Sequence, residues 1–291
     1  MISNISETIW HYTSIDTLIK ICSNLTIRAT HHAFMNDAEE VKIGAKFILS
    51  AIEELSKTQD DKDAFEHIRK FTDDILNSEK LNYFYITSFS KAKDTLSQWR
   101  GYTPAHGGCA IGFDKSLLLE ALANPIPKFQ QANHVAYSFV DCIYPQTKRA
   151  GFLSMRPYLK KIKENNNIRT LQEDLFASLI KSQEIFSVMG WLYGVKNPCF
   201  EDEQETRLVF QHIPDYSTIQ FENGKPFLEF SIKNDIFPKL IKEVMISPHG
   251  DVVKNEHYVR FFSQALGEKY RTNSTDGLLF PVTKSVLPYR G

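Results

Sequence analysis

The sequence predicts an α+β fold, in which a curved, mixed and mostly antiparallel sheet forms the core of one domain over residues 1–291. Short runs rich in β-branched and aromatic residues recur along the chain, and the helical segments between them differ widely in length. Regular strand–helix alternation, which is typical of parallel sheets, is rare. The chain has 291 residues, of which 42% are hydrophobic and 12% aromatic, and this is enough for one large core decorated by helices.

The first third of the chain predicts two short strands, a helix between them and then a helical hairpin. Residues 8–12 form the first strand, and Ser14 can cap the following helix because its hydroxyl can accept from the first backbone N–H groups. Residues 25–29 form the second strand. The hairpin is an insertion at about 37–77, and its second helix covers 60–77. Its first helix has apolar residues spaced by three and four, the mark of one buried stripe: Ala38, Val41, Ala45, Ile48, Ile52 and Leu55.

The rest of the chain predicts strands and helices of uneven length. The strands are 81–90, 107–113 with its leading glycine turn, 134–144, 203–210, 227–232 and 243–247. The helices are 94–100, 115–123, 168–190 and 255–266, and we expect the last to turn Tyr258, Phe261, Phe262 and Ala265 inward. The tail at 282–289 is expected to close the sheet as an edge strand, because Pro288 cannot donate to a neighbouring strand.

Composition and charge exclude several classes of protein. No run approaches the roughly 18–20 apolar residues of a membrane span, and the N-terminus lacks the order of a signal peptide, so we expect a cytoplasmic protein without membrane contact. The net charge of −1 gives no overall attraction for nucleic acid, although a local basic groove remains compatible with it. The four cysteines have no paired spacing, so we expect reduced thiols rather than disulfides or a zinc site.

Common cofactor and metal motifs do not occur in the sequence. Gly107, Gly108 and Gly112 do not match G-x-G-x-x-G, and there is no G-K-[ST] phosphate loop. HExxH, EF-hand and nucleophile-elbow patterns do not occur either. The adjacent His31 and His32 would point to opposite faces of a strand and could not share one metal there. We therefore expect no metal and no Rossmann-type dinucleotide fold.

A dense acidic stretch leads directly into an apolar strand at residues 203–210. If this stretch is extended, Glu203, Glu205 and Arg207 point to the same face. Two like charges so close are tolerated only if Arg207 or a ligand offsets them, or if one carboxyl changes its pKa. The stretch is therefore either a solvated acidic edge or part of a functional site.

Two aromatic-rich segments supply further candidates. His11 lies between Trp10 and Tyr12 at the end of the first strand; it is either a buried histidine that the backbone satisfies or a ligand group facing a cleft, with hydroxyls from Thr13 and Ser14 beside it. Tyr102 follows a short helix and a glycine. It is either part of the core or an aromatic surface on which a planar ligand ring can stack.

Several motifs carry a resemblance to a known family. They are Trp10-His11-Tyr12-Thr13-Ser14, Phe34-Met35-Asn36-Asp37, Leu96-Ser97-x-Trp99-x-x-Tyr102, Glu203-x-Glu205-x-Arg207 and Leu287-Pro288-Tyr289-Arg290. In this order the motifs resemble a widespread bacterial family of unknown function that is linked with abortive infection. The first motif also looks like the His-x-[Thr/Ser] element of ADP-ribosyltransferases, and the acidic strand looks like their catalytic strand. The resemblance implies an ADP-ribosyltransferase type of sheet and NAD as the substrate.

The resemblance also implies a role for each site residue. Glu205 would hydrogen-bond the ribose 2′-hydroxyl as positive charge develops, and Glu203 would orient the acceptor or take its proton. Arg207 would hold the two carboxylates in register or contact a phosphate. His11 would bind the adenosine ribose with Thr13 nearby. The nicotinamide ring would stack on Tyr102 or, as the alternative, on Tyr12.

Four hypotheses for the function follow. The first is an ADP-ribosyltransferase that acts as an intracellular toxin or phage-defence effector, is restrained by an antitoxin, and modifies a macromolecular acceptor, with RNA or DNA favoured over protein. The second is an NAD glycohydrolase, in which water replaces the acceptor. The third is a non-enzymatic interaction module. A magnesium-dependent nuclease using the acidic stretch is disfavoured because alternating faces would scatter its ligands. The first two require His11 and Glu205 to line one pocket.

Overall fold

The computed structural model of the protein describes residues 7–35, 40–56, 84–122, 136–145, 192–211 and 218–289, together with Glu66, Arg69 and Asp73. The strands are β1 Thr8–Thr13, β2 Thr26–His31, β3 Phe84–Ser90, β4 Cys109–Asp114, β5 Ala136–Asp141, β6 Glu205–Gln211, β7 Gln220–Glu222, β8 Lys225–Ser231, β9 Ile241–Ile246 and β10 Val282–Lys284. The helices are α1 Ile15–Asn24, α2 Glu40–Ser56, α3 Leu96–Tyr102, α4 Lys115–Ala121, α5 Phe237–Leu240 and α6 Val252–Tyr270. Short 3₁₀ turns cover His32–Phe34 and Pro198–Glu203.

The strands join one sheet. Its main path has the order β10-β9-β4-β1-β3-β2-β8-β7, while β6 pairs with β3 on one side and with β5 on the other. β10 runs parallel to β9, and the other pairs of these strands are antiparallel. This mixed, mostly antiparallel sheet, with helices packed on it, confirms the α+β class. None of the described helices is long and apolar enough to cross a membrane.

The sheet opens at β3. One edge of β3 pairs with β6 along its whole length, from Phe84 to Ser90. The other edge is shared, because β2 pairs with Tyr85 and Ile86 whereas β1 pairs with Ser90. β1 and β2 therefore part from each other beside the middle of β3. Backbone groups there need partners from side chains, and the Thr87 hydroxyl donates to the Arg28 carbonyl at 2.7 Å.

The main hydrophobic core lies on the face of the sheet that α1, α4, α5 and α6 cover. Each of these helices contributes at least one fully buried residue, namely Leu18, Leu118, Phe237 and Val259. Phe210 and Phe230 stack in this core with ring centroids 3.8 Å apart. On the opposite face of β1, Trp10 and Tyr12 pack with Trp99 of α3 in a second cluster. α3 is thereby fixed on the second face, where the pocket described below lies.

The first half of the predicted helical hairpin is confirmed as α2. Its predicted partner at 60–77 lies outside the described residues, apart from Glu66, Arg69 and Asp73, which are helical. The predicted helix at 168–190 also lies outside them. Ser14 caps α1 as expected, because its Oγ accepts from the Thr17 N–H at 3.1 Å. None of the four cysteines, all of which lie in the described residues, forms a disulfide.

The predicted inward face of α6 is wrong in part. Tyr258 is 54% exposed and Phe261 74% exposed, and Ala265 is exposed as well. The buried stripe runs instead through Val259, Ser263 and Leu266, and Phe262 is the predicted residue that packs partly against the core. A polar residue is tolerated in this stripe because Ser263 Oγ both donates to the Phe280 carbonyl and accepts from its N–H.

The C-terminal tail forms a shorter strand than predicted. Only Val282–Lys284 is a strand, parallel to β9 at the end of the sheet path. The tail beyond it turns toward α3, where the Asp94 carboxylate accepts from Ser285 Oγ at 2.7 Å and from the Val286 N–H at 3.1 Å. The Ser285 N–H still donates to the Ile246 carbonyl of β9 at 3.0 Å, so the start of the tail is held by the sheet and by the Asp94 side chain together.

Candidate functional site

A pocket of about 330 Å³ lies at the opening of the sheet between β1 and β2. β1 contributes His11, β2 contributes Arg28, and the middle of β3 contributes Ser88. Tyr102 at the end of α3 closes another side. The remaining wall comes from the segment that leads into β6 and from β6 itself: Lys196, Phe200, Glu203, Glu205 and Arg207. The volume falls within the range of small-molecule sites in proteins.

His11 takes the place of a missing strand partner. Its Nδ1 lies 3.0 Å from the Ser88 carbonyl, at the point where β1 and β2 part. Because a carbonyl only accepts, Nδ1 carries the proton and Nε2 of the neutral ring is left as an acceptor. Burial lowers the pKa of His11, and the bond to Ser88 raises it by less, so the ring stays neutral near pH 7. His11 is therefore a neutral residue of the pocket wall, with Nε2 as a hydrogen-bond acceptor, rather than a cation.

The acidic stretch enters the site through a turn, not as an extended strand from Glu203. Glu203 ends the 3₁₀ turn, Gln204 is left-handed with φ of 42°, and β6 begins at Glu205. The turn is fixed because Ser90 Oγ donates to the Glu203 carbonyl at 2.7 Å and the Lys91 N–H donates to the Gln204 carbonyl at 3.0 Å. The premise of a continuous strand was wrong, yet the turn still directs Glu203 toward Glu205.

Lys196 joins the two carboxylates. Its Nζ lies 2.5 Å from Glu203 Oε2 and 2.7 Å from Glu205 Oε2. Arg207 contacts Glu205 from the other side, with Nε 2.8 Å from Oε1 and Nη2 2.9 Å from Oε2. Arg207 Nη1 donates to the Tyr193 carbonyl at 2.6 Å. Two anions and two cations thus form one buried cluster, called the ion cluster below.

The charges in the ion cluster determine how Glu205 titrates. Burial alone would raise its pKa, because the side chain is only 4% exposed. The charges and hydrogen bonds of Arg207 and Lys196 outweigh burial and lower the pKa of Glu205 to about 2. For Lys196, burial would lower the pKa, but Glu205 and Glu203 outweigh it and raise the pKa. Glu205 is therefore an anion, and Lys196 a cation, over the whole physiological range.

Two partly exposed aromatic side chains border the ion cluster. Tyr102 is 36% and Phe200 40% exposed, and both line the pocket. The Tyr102 hydroxyl lies 3.4 Å from Glu203 Oε2, and Lys196 Nζ lies 5.0 Å from the centroid of the Phe200 ring. Burial raises the pKa of Tyr102 to about 12, so its hydroxyl remains a donor. The two rings offer apolar surface for a planar ligand next to two carboxylates.

The comparisons with known proteins give one match. Residues 98–208 match the family described as Protein of unknown function (DUF2971). The DUF2971 region includes Tyr102 and all four members of the ion cluster, whereas His11 precedes it. The expected resemblance to a family of unknown function is thus confirmed for this part of the chain. Neither the curated proteins nor the solved structures that were compared give a match.

Most of the residues that the sequence singled out meet in this pocket. His11, Tyr102, Glu203, Glu205 and Arg207 all line it, although only the last four lie in the DUF2971 region. His11 and Glu205 therefore meet the requirement that they share one pocket.

The structure does not bring Tyr12 and Thr13 to this site; neither is among the described residues that line the pocket. The Tyr12 side chain lies on the face of β1 opposite to His11, beside α3, where its hydroxyl donates to the Ala92 carbonyl at 3.0 Å and its ring meets Trp99 edge-on at 4.7 Å. Thr13 pairs with Cys109 of β4. Tyr12 thus supports the position of α3 rather than contacting a ligand.

Sequence reasoning missed several residues of the site, among them Lys196, Phe200 and Ser88. Phe200 and Lys196 match no motif, and the only sequence signal for Lys196 is the need for a second cation beside two carboxylates. Ser88 lies inside a β-rich run with nothing to mark it. Its Oγ lines the pocket region, is buried, and has no hydrogen-bond partner among the residues that the structure describes.

The arrangement differs from a metal centre. Among the described residues, no group of three or more His, Cys, Asp and Glu side chains could hold a metal ion. Glu201 and Asp202 of the acidic stretch are exposed to solvent, and Glu203 and Glu205 already share Lys196. Two carboxylates of this stretch thus face solvent, and the other two lie in the ion cluster.

Proposed function

We propose that the protein is an ADP-ribosyltransferase that uses NAD as its substrate. The observation that carries the proposal is that His11 of the first strand and Glu205 of a late strand line one pocket, at the point where the sheet opens. An ADP-ribosyltransferase type of sheet requires that His11 and Glu205, which are far apart in sequence, line the same pocket.

The proposed reaction breaks the bond between nicotinamide nitrogen and the ribose carbon. Nicotinamide leaves as a neutral molecule with the electron pair of that bond, and the ribose carbon passes through a state with oxocarbenium character. A nucleophilic group of the acceptor then bonds to this carbon and gives up its proton. Such a reaction needs a fixed negative charge near the sugar, an acceptor for the proton, and a surface that holds the nicotinamide ring.

The ion cluster supplies the first two requirements. Glu205 is held as an anion, and its Oε1 accepts from Arg207 Nε at 2.8 Å. A carboxylate oxygen can accept more than one hydrogen bond, so Oε1 has capacity for the ribose 2′-hydroxyl. Glu203 Oε2 faces Lys196 and Tyr102, whereas Oε1 takes part in none of the hydrogen bonds among the described residues. Glu203 Oε1 is thus the oxygen suited to take the acceptor's proton. Arg207 acts by holding Glu205.

The rest of the pocket supplies binding groups. His11 Nε2 can accept from a ribose hydroxyl, and Ser88 Oγ, which has no hydrogen-bond partner in the described part of the chain, can donate or accept beside it. Tyr102 and Phe200 can pack against the nicotinamide ring. Arg28 lies at the other side of the pocket, where its positive charge suits a phosphate, although it also pairs with Glu229 at 2.9 Å.

The biological setting of the proposal comes from the family resemblance. In this setting the protein is a cytoplasmic toxin or phage-defence effector. An antitoxin partner restrains it, and it modifies RNA or DNA in preference to protein. Hydrolysis of NAD is the second candidate, because the same pocket would act as a glycohydrolase if water reached the ribose carbon in place of an acceptor. A purely acidic interaction edge is disfavoured, because Glu203 is only 8% and Glu205 only 4% exposed.

The test uses the purified full chain with NAD labelled in the adenine ring, incubated with separate pools of RNA, DNA and cell protein. Transfer predicts label in one pool with the wild type and none with Glu205→Gln. Glu201→Gln is the matched control, since Glu201 is an exposed carboxylate of the same acidic stretch. Nicotinamide release without label in any pool supports hydrolysis instead. If NAD stays intact in every pool, both enzyme proposals fail.

A further inference from the structure

The most unusual feature of the pocket is a buried ammonium that touches two carboxylates at once. Lys196 contacts Glu203 at 2.5 Å and Glu205 at 2.7 Å, and its side chain is only 5% exposed. From this geometry we propose that Lys196 is a positioning residue of the site, which holds Glu203 and Glu205 side by side in their charged forms and leaves Glu203 Oε1 directed to the ligand. This inference rests on the proposed function, because it assigns a part in that reaction to Lys196.

Arg207 contacts one of the two carboxylates, Glu205, and a backbone carbonyl. Its Nε and Nη2 form a fork on Glu205, and Nη1 binds the Tyr193 carbonyl. Lys196 is the cation whose contacts span both carboxylates. With both cations the ion cluster is neutral; without Lys196 it would carry one net negative charge in a buried site, where repulsion between carboxylates favours uptake of a proton.

The backbone around Lys196 holds its ammonium group in place. The Lys196 N–H donates to the Ile143 carbonyl at 3.0 Å, and the Ile143 N–H donates to the Gly194 carbonyl at 2.8 Å, so a short bridge fixes the backbone on both sides of buried Val195. The aromatic ring of Phe200 lies 5.0 Å from Nζ. A lysine fixed in this way has little freedom to leave its two partners.

The two carboxylate oxygens of Glu203 differ in their contacts. Lys196 and the Tyr102 hydroxyl both address Oε2, and the backbone carbonyl of Glu203 is held by Ser90. The carboxylate is thus oriented through Oε2, and Oε1 is the oxygen that we assign to the ligand. Among the residues that the structure describes, the titratable groups beside this carboxylate pair are Lys196, Arg207, the Tyr102 hydroxyl and the Tyr144 hydroxyl, which accepts from the Glu205 N–H at 2.7 Å.

The test compares wild type with Lys196→Met, which has a similar length and no charge, and Lys196→Arg, which keeps the charge. We expect Lys196→Met to cleave NAD roughly tenfold or more slowly at pH 7, with the acidic limb of its pH–rate profile about one unit higher than in wild type. Lys196→Arg should keep the wild-type limb, with a smaller loss of rate. A Lys196→Met enzyme as fast as wild type would overturn the inference. A faster enzyme would overturn it too, and would show that Lys196 blocks the pocket. An unshifted acidic limb would overturn it too.

A second measurement separates this inference from the proposed function. Carboxyl groups of ¹³C-labelled glutamate are titrated by NMR in wild type, Lys196→Met and Lys196→Gln, and this readout does not need NAD. We expect one carboxyl to titrate about one pH unit higher in both variants. Absence of that shift contradicts the inference even if NAD is cleaved. If the shift is present but wild type leaves NAD intact, only the proposed function fails. Lys196→Gln keeps a hydrogen-bond donor and serves if Lys196→Met does not fold.

Discussion

Ser88 of β3 links the two sides of the pocket: its carbonyl accepts from His11 Nδ1, and its backbone pairs in register with Arg207 of β6. His11 and the ion cluster are therefore neighbours because β3 lies between β1 and β6, although these strands are far apart in sequence. The opening between β1 and β2 exposes one edge of β3, and the side chain of His11 fills the vacant backbone position. The pocket is thus a consequence of how the sheet branches.

Removing the charge of Glu205 should affect both catalysis and stability. Glu205→Gln leaves Lys196 and Arg207 buried with a single carboxylate, and breaking a buried ion pair in this way costs about 3–5 kcal/mol. We expect NAD cleavage to fall by roughly 100-fold or more, as when one group that stabilises transition-state charge is lost. Denaturant unfolding and a nicotinamide-release assay measure the two effects. Equal losses in Glu201→Gln would show that the effect is not specific to the pocket.

Acid should destabilise the protein through Glu205. Its pKa is lowered from 4.5 to about 2 in the folded state, so its stabilising contribution is complete above about pH 4.5 and is lost as the pH falls toward 2. The shift corresponds to about 3 kcal/mol of unfolding free energy. Urea unfolding between pH 2 and 6 should therefore show a steeper decline in wild type than in Glu205→Gln. Parallel curves for the two proteins would contradict this origin of the acid sensitivity.

The two ring nitrogens of His11 should have separable roles. Asparagine can place an amide donor near the position of Nδ1, so His11→Asn should keep the bond to the Ser88 carbonyl and most of the stability, but lose the acceptor at Nε2. His11→Ala should lose both and be less stable by about 1 kcal/mol or more. We expect both variants to raise the KM for NAD. Wild-type KM in His11→Asn would remove His11 from the ligand site.

Tyr102 should act mainly through its ring. The hydroxyl lies 3.4 Å from Glu203 Oε2, which makes a weak hydrogen bond, so Tyr102→Phe should change NAD affinity by less than about 1 kcal/mol. Tyr102→Ala removes the partly exposed ring from the pocket and should weaken binding much more. Calorimetric titration with NAD compares the two variants. If Tyr102→Phe lost as much affinity as Tyr102→Ala, the hydroxyl rather than the ring would be the binding group.

Asp94 should hold α3, and hence Tyr102, in position. One carboxylate oxygen accepts from Trp99 Nε1 at 2.6 Å and from Ser285 Oγ at 2.7 Å, and the other accepts from the Val286 N–H at 3.1 Å. Asp94→Ala leaves these three donors without their partner and should lower the unfolding free energy by about 1–3 kcal/mol. Ser285→Ala, the milder control, keeps the Asp94 bonds to Trp99 and Val286 and removes the Ser285 Oγ bonds to Asp94 and to the Leu287 N–H. A thermal unfolding midpoint for Asp94→Ala equal to wild type would contradict this role.

Local signals in the sequence were sufficient where one short segment determines its own structure. Ser14 caps α1, the apolar alternation of β6 puts Leu208 and Phe210 into the main core, and the face of Glu205 and Arg207 is opposite to them. These features depend on neighbours in the chain, so periodicity and capping rules capture them. The same holds for the α+β class, which follows from the spacing of such segments.

The features that could not be predicted depend on contacts between distant segments. Gln204 adopts a left-handed conformation that its residue type does not indicate, and Lys196 becomes part of the site only because the fold closes around two carboxylates. The inward face of α6 was misassigned because aromatic residues were counted as buried, whereas Ser263 takes an inward position through bonds to Phe280. The spacing of apolar residues along a helix cannot predict hydrogen bonds to a distant segment such as the one at Phe280.

The most direct test of the central claim is the time course of nicotinamide release from NAD, followed by proton NMR for wild type, Glu205→Gln and Glu201→Gln in the presence of RNA, DNA and cell protein. Under the proposed function, wild type and Glu201→Gln release nicotinamide, and Glu205→Gln does not. Intact NAD with the folded wild type under all these conditions, or equal release by Glu205→Gln, contradicts it.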